Sequence, residues 1–316
     1  MRKLLVFCSM VAMAALVALN LNSCSSDDPI PMPTVKIDVQ KDGHKVIIAV
    51  QATDATSFSW NYGNGETSTN NGTSHEYEYE YSGTYTISVT VTNESGSASD
   101  SEEVIIDPEP VEILSGTPQS HPNGKTWLLD PTYYPGKNGA GPIIPALTVT
   151  QDFLMDNILE LLLGLGTEYD NEFTFKYDGS LMIDNKNAIS LGSAMYAGIN
   201  QIAPAPGLEG GMGLMGIPYT PAANGTWELK VEDVNMDVVI EDPNDLGAGW
   251  TEGTFEKADQ MILVPSDYFG FLGVTKTVLI KEITSEYMHV MFFMHGVVEV
   301  PMKPSTAIHV TFVPKQ

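Results

Sequence analysis

Short segments in which apolar and polar residues alternate recur along most of the chain, and this period of two sets the fold class. Val35-Lys36-Ile37-Asp38-Val39, Lys45 to Val50, Tyr85 to Val91 and Glu103 to Ile106 read as half-buried strands at the spacing of a β-sandwich. Asp107-Pro108-Glu109-Pro110 interrupts the pattern, because each X-Pro step favours extended backbone and stiffens the chain. Beyond it the pattern is again mainly β, in Leu147-Thr148-Val149, Glu172 to Tyr177, Thr226 to Val231, Val278 to Ile280, Met288 to Met294 and Ala307 to Phe312. Two β units are expected, 35–107 and 112–316, and a chain of 316 residues is long enough for both. Only Asp152 to Gly164 has helical spacing, through Phe153, Leu154, Ile158, Leu161 and Leu162, with Asp152 to cap it and Gly164 to end it. The expectation is therefore an all-β chain with one short helix closing an end of the larger sandwich. Residues 203–217 carry no period and read as a long glycine-rich loop.

Charge and side-chain chemistry narrow the function. Fifteen Lys and Arg face 40 Asp and Glu, a net charge of −25, and no basic run exists to follow a phosphate backbone, which excludes nucleic acid as a partner. The six histidines, His44, His75, His121, His289, His295 and His309, have no metal-ligand spacing. Neither a nucleophile elbow nor a phosphate-cradling loop is present, so no metal and no cofactor are expected. Asp242-Pro243-Asn244-Asp245 lacks the calcium-loop pattern and reads as a solvated turn.

The N-terminus reads as an address. Arg2 and Lys3 precede an apolar run from Leu4 to Leu19, too short for a comfortable membrane span. The run ends in Leu21-Asn22-Ser23-Cys24, which resembles a bacterial lipobox. That resemblance implies a signal peptide at 1–23 and a lipid on Cys24, followed by a polar, proline-stiffened tether over 24–34. Both cysteines, Cys8 and Cys24, fall in this region, so the mature chain has no partner for a disulfide. Ser26-Asp27-Asp28 resembles the export signal of Bacteroidetes lipoproteins, which implies the outer face of the outer membrane.

Within the first unit, Trp60-Asn61-Tyr62-Gly63-Asn64-Gly65 and Tyr77-Glu78-Tyr79-Glu80-Tyr81-Ser82-Gly83-Thr84-Tyr85 resemble the signature of a PKD domain. Tyr62 stands for its Phe and Asn64 for its Asp. The resemblance implies an immunoglobulin-like sandwich acting as a spacer, with Trp60 in the core and Tyr85 packed or capping. Asn64-Gly65 suits the positive φ of a tight turn. Tyr77, Tyr79 and Tyr81 share one strand face, which reads first as a packed face and second as a sugar-stacking row.

A second resemblance rests on Gly124-Lys125-Thr126-Trp127, Asn138-Gly139-Ala140-Gly141-Pro142 and Asp170-Asn171-Glu172-Phe173-Thr174-Phe175. These resemble the C-terminal domain of PKD-containing lipoproteins from Bacteroidetes polysaccharide-utilisation systems. The resemblance implies a larger jelly-roll-like β-sandwich over 112–316 that binds polysaccharide or oligosaccharide at the cell surface, in the company of an outer-membrane transporter complex. Relatives often carry a Trp-rich stretch after Gly-Pro, where this chain has Ile143 to Val149. Aromatic side chains are the expected ligand contacts: Tyr133, Tyr134, Tyr196, Tyr219, Trp250 and Tyr268, with Trp127 and Trp227 reading as core.

Glu168-Tyr169-Asp170-Asn171-Glu172 also matches the Glu-x-Asp-x-Glu string of retaining family 16 glycoside hydrolases. On a strand, Glu168, Asp170 and Glu172 would share one face, as nucleophile, modulator and acid/base. The polar Tyr169 and Asn171 between them, and the loop-like Gly164-Leu165-Gly166-Thr167 before them, weigh against catalysis and for a non-catalytic binder.

Overall fold

The computed structural model describes residues 29–69, 72, 74–143, 149, 151–211, 213–241, 250–296 and 301–316. Cys24, Leu147-Thr148 and Asp242 to Asp245 lie outside them. The described chain forms two compact units.

The first sandwich contains β1 (Thr34–Asp42), β2 (Lys45–Thr53), β3 (Ser57–Asn61), β4 (Thr67–Ser68), β5 (Ser74–Glu78), β6 (Gly83–Asn93) and β7 (Gly96–Ile106). They make sheets of order β1-β2-β5 and β4-β3-β6-β7. Alternation works as the sequence implies: Val46 and Ile48 are fully buried while Ile47 between them is 40% exposed. Trp60 sits opposite Val89 in the sheet and is buried. Tyr85 stacks on Tyr79 with ring centroids 4.0 Å apart, and its hydroxyl donates to the Tyr81 carbonyl at 2.9 Å. With Tyr79 buried in that stack, Tyr77, Tyr79 and Tyr81 do not form an open row. The positive φ angles of the turn fall on Gly63 (+81°) and Gly65 (+97°) rather than on Asn64, whose carboxamide oxygen accepts from the Glu66 amide at 3.0 Å.

Beyond the linker the chain forms α1 (Pro110–Ser115), β8 (Lys125–Leu129), β9 (Gly139–Pro142), β10 (Gln151–Asp152), α2 (Ile158–Leu163), β11 (Glu172–Phe175), β12 (Ser180–Asp184) and β13 (Ile189–Ser193). There follow α3 (Ala194–Ile199), β14 (Leu214–Pro218), β15 (Gly225–Glu241), β16 (Trp250–Pro265), β17 (Val278–Ile283), β18 (Met288–Met294) and β19 (Thr306–Pro314). The main sheet runs β8-β11-β12-β15-β16-β17-β18-β19, and β19 pairs back onto β8 at Phe312↔Leu129. The large sandwich is thus one antiparallel sheet closed on itself; β11–β12 and β15 to β19 follow consecutively, β13, α3 and β14 separate β12 from β15, and β9 and β10, lying between β8 and β11 in sequence, extend the sheet beside the first half of β19.

β18 shows why the sequence Met-His-Val-Met-Phe-Phe-Met reads as unbroken apolarity: all seven residues are buried because the sheet is covered on both faces. Met288, Val290, Phe292 and Met294 enter the inner core with Trp127, Phe173 and Phe312. Met291 and Phe293 enter an outer cluster with Val238, Phe255 and Leu279. The far half of the β15–β16 hairpin supplies that cover. Its register shifts between Glu232 and Val234, after which its inward residues join the outer cluster instead of the inner one.

Among the described residues, three short α-helices replace the single expected one. Pro110 opens α1, and the Glu112 carboxylate accepts from the Glu109 amide at 2.9 Å. The helix expected over 152–164 is only Ile158–Leu163, because Leu154 and Asn157 take left-handed φ of 65° and 55°. Asp152 pairs in β10 instead of capping, although Gly164 does end the helix at φ 66°. Within the stretch read as loop, Leu214–Pro218 is β14, paired with β13.

Candidate functional site

α3 begins at Ser193, whose hydroxyl accepts from the Tyr196 amide at 3.0 Å. The segment between β16 and β17 is locked against the strand leading into that helix. The Leu272 amide donates to the Leu191 carbonyl at 2.8 Å, and the Ser193 amide to the Leu272 carbonyl at 3.0 Å. These bonds bring Tyr196 of α3, Tyr219 after β14, and Asp267 and Tyr268 after β16 to one narrow cleft of about 40 Å³, with Thr275 and Lys276 at its wall. Tyr219 donates its hydroxyl to Asp267, whose second oxygen accepts from the Ala222 amide at 2.6 Å. The Tyr219 and Tyr268 rings meet edge to face at 5.6 Å.

Burial pushes all three phenols up, helped by Asp267 at Tyr196 and Tyr219 and by Glu168 at Tyr268, so they stay neutral at physiological pH. The cleft thus offers aromatic surface, one carboxylate, one hydroxyl and one ammonium. Tyr268 forms its floor at 3% exposure, so among the described tyrosines of the cleft Tyr196 and Tyr219 present ring surface to a ligand.

The other three expected contacts lie elsewhere. The Tyr133 hydroxyl donates to Asp152 at 2.9 Å and the Tyr134 hydroxyl to Asp130 at 2.6 Å. Tyr133 borders a separate, mainly apolar cleft of about 30 Å³ with Phe153, Leu159 and Val310. Trp250 opens β16 opposite Glu241 and lines neither cleft. Sequence reasoning did not assign Asp267, Thr275 or Lys276 to a site, although Asp267 adjoins Tyr268.

The three acids of the hydrolase-like string are not brought to one strand face. Residues 166–170 form a 3-10 turn, and only Glu172 stands in β11. Glu168 is 2% exposed and lines neither cleft. Its Oε2 accepts from the Tyr268 hydroxyl at 2.8 Å and from the Asn171 amide at 3.2 Å, and burial pushes its carboxyl up to about 7. Glu172 pairs with Lys315 at 2.7 Å and Lys186 at 2.9 Å, which hold it below the usual carboxylate range. Among the described residues no three His, Cys, Asp or Glu side chains gather as a metal ion would require.

Residues 38–106 match the PKD domain family. The PKD1 domain of Vibrio anguillarum Epp aligns with 25% of this chain and 98% of its own at 24% identity and a TM-score of 0.23. The PKD domain of the human receptor SorCS2 aligns with 32% of this chain and 96% of its own at 17% identity and a TM-score of 0.24. A structure described as a promiscuous carbohydrate-binding module of the β-sandwich superfamily aligns with 90% of this chain and 92% of its own. That match has 11% identity and a TM-score of 0.26, too low to bear on ligand or function. No curated protein matches. The chain is all-β: an N-terminal PKD domain of immunoglobulin type, then a large β-sandwich with few helices.

Proposed function

We propose that the C-terminal unit captures polysaccharide or oligosaccharide without cutting it. In this reading a lipid on Cys24 anchors the chain to the outer face of the outer membrane, the PKD domain is a spacer, and the captured glycan passes to an outer-membrane transporter complex. The observation that supports capture is the convergence of Tyr196, Tyr219 and Tyr268 with Asp267, Thr275 and Lys276 on one cleft. Aromatic rings pack on the C–H faces of pyranoses, while carboxylate, hydroxyl and ammonium groups pair with sugar hydroxyls. The full chain, screened against a polysaccharide array and then by calorimetry, should bind at least one glycan and release no reducing ends from it. Failure to bind any glycan overturns the reading.

A further inference from the structure

The sequence holds a single arginine, Arg2, so every side chain of the two folded units that stays cationic above neutral pH is a lysine. Arginine grips carboxylates and phosphates through two parallel N–H bonds, whereas a lysine offers only a point charge. In the large unit Lys137, Lys186, Lys230, Lys303 and Lys315 are already paired with carboxylates. Lys276 is the basic side chain that lines the tyrosine cleft among the described residues, and it donates to the Ser266 carbonyl at 2.8 Å. Positions 144–148, 242–249 and 297–300, outside the described residues, contain no basic residue and add Asp242, Asp245 and Glu299 to the acids.

Against that ammonium stands Asp267. Its two oxygens accept from the Tyr219 hydroxyl and the Ala222 amide, and each keeps a lone pair for a further donor. A sugar hydroxyl can be that donor; an ionised acid group, which only accepts, cannot. After burial, it is Asp267 that raises the phenols of Tyr196 and Tyr219. The field that opposes a negative charge on those ring oxygens also opposes one on a ligand laid against the rings. The same sign prevails over the whole chain, at a net −25, so an anionic polymer is repelled before it arrives.

We propose that the tyrosine cleft selects uncharged glycans, polymers without uronate or sulfate groups, and that Asp267 enforces the choice by accepting from sugar hydroxyls and repelling anionic substituents. This selection rests on glycan capture by the same cleft and adds to it the charge of the polymer captured. Screening by salt weakens the repulsion but leaves the hydroxyl contacts in place, so the preference has an electrostatic signature that shape alone would not produce.

The test sets the full chain against β-glucan, α-glucan, xylan, mannan and galactan beside polygalacturonate, alginate and heparin. A polymer of the first set that binds is then carboxymethylated, and part of the product is converted to its methyl ester, which keeps the added bulk and removes the charge. By calorimetry in about 50 mM salt the carboxymethyl polymer should bind at least about tenfold more weakly than its ester, and about 500 mM salt should narrow that gap. Asp267→Asn should narrow it by about threefold or more at low salt. Equal or tighter binding of the carboxymethyl polymer, or a gap unmoved by salt, overturns the selection, and both readings come from the wild-type chain. So does an unchanged gap in an Asp267→Asn chain that keeps the wild-type circular-dichroism spectrum. Binding of polygalacturonate, alginate or heparin alone overturns the selection and leaves glycan capture standing. Binding of neither set removes glycan capture and the selection with it.

Discussion

The phenol of Tyr268 donates a 2.8 Å hydrogen bond to the carboxyl of Glu168, and both side chains are at most 3% exposed. An acid in such surroundings favours its neutral form, which makes the pair a pH-dependent element of stability.

Glu168 is raised from 4.5 to about 7. The stability that its protonation contributes is complete below pH 4.5 and is lost as pH climbs to about 7. His289, His295 and His309 are pushed by burial from 6.5 down to about 4, so their contribution is lost as pH falls from 6.5 towards 4. Three imidazoles outweigh one carboxyl between 4.5 and 6.5. Melting temperature should therefore rise with pH across that interval and reach its maximum near 6.5. In Glu168→Gln the carboxyl contribution disappears, so the variant should gain on the wild type by roughly 3 kcal/mol between pH 4.5 and 7. Denaturant melts at stepped pH check both the maximum and the difference curve, and a pH-independent difference would remove Glu168 as the cause.

Tyr196→Ala should weaken binding of whichever polysaccharide the array identifies by about tenfold or more, as the loss of an anchoring ring does. Tyr133→Ala and Tyr134→Ala, in a different place, should change it less than about twofold, within the scatter of peripheral contacts. Calorimetry on the three variants separates the two clefts. The reverse order would move the glycan site to the 130–138 loop.

Cys24→Ser should release the protein from the membrane fraction and leave the signal peptide uncleaved by lipoprotein processing. Cell fractionation and the mass of the mature N-terminus read this out. Unchanged membrane association and mass would remove the lipid anchor.

Two glycines in the first sandwich should respond differently to alanine. Gly63 has φ +81°, and a Cβ there would lie 2.7 Å from the Thr86 amide nitrogen. Gly43 has φ +61° with nothing within 4 Å. Gly43→Ala should cost about 1 kcal/mol from backbone strain alone, and Gly63→Ala roughly 2 kcal/mol or more because the neighbouring backbone must also shift. Equal losses in a denaturant melt would show that the close approach is relieved.

The alternating strands were legible because a period of two survives wherever one face is buried, as in Val46 to Val50. In β18 it blurs, since both faces are covered and polarity no longer marks which way a residue points. Glu168 to Glu172 mislead for a related reason: sequence spacing predicts a common face only inside a strand, and a 3-10 turn intervenes. The tyrosines of the cleft were legible as residue types but not as a group. Their meeting depends on the Leu191–Leu272 and Ser193–Leu272 bonds between segments far apart in sequence. The short α2 was likewise beyond reach, because a leucine at positive φ breaks no local pattern of hydrophobicity.

Closure of the large sheet through Trp127↔Pro314, Leu128↔Val313 and Leu129↔Phe312 also sets a timetable. A chain emerging N-terminus first can form β11–β12 and then β15 to β19 hairpin by hairpin, each from neighbouring segments. The seam between β8 and β19 must wait until Thr306–Pro314 has emerged, and it carries the entropic burden of the longest loop in the unit. Until then β8 and β18 stand as open edges, able to pair with another chain. That interval is the period of greatest exposure to misassembly, and its length is set by the speed of chain synthesis rather than by the stability of the finished fold.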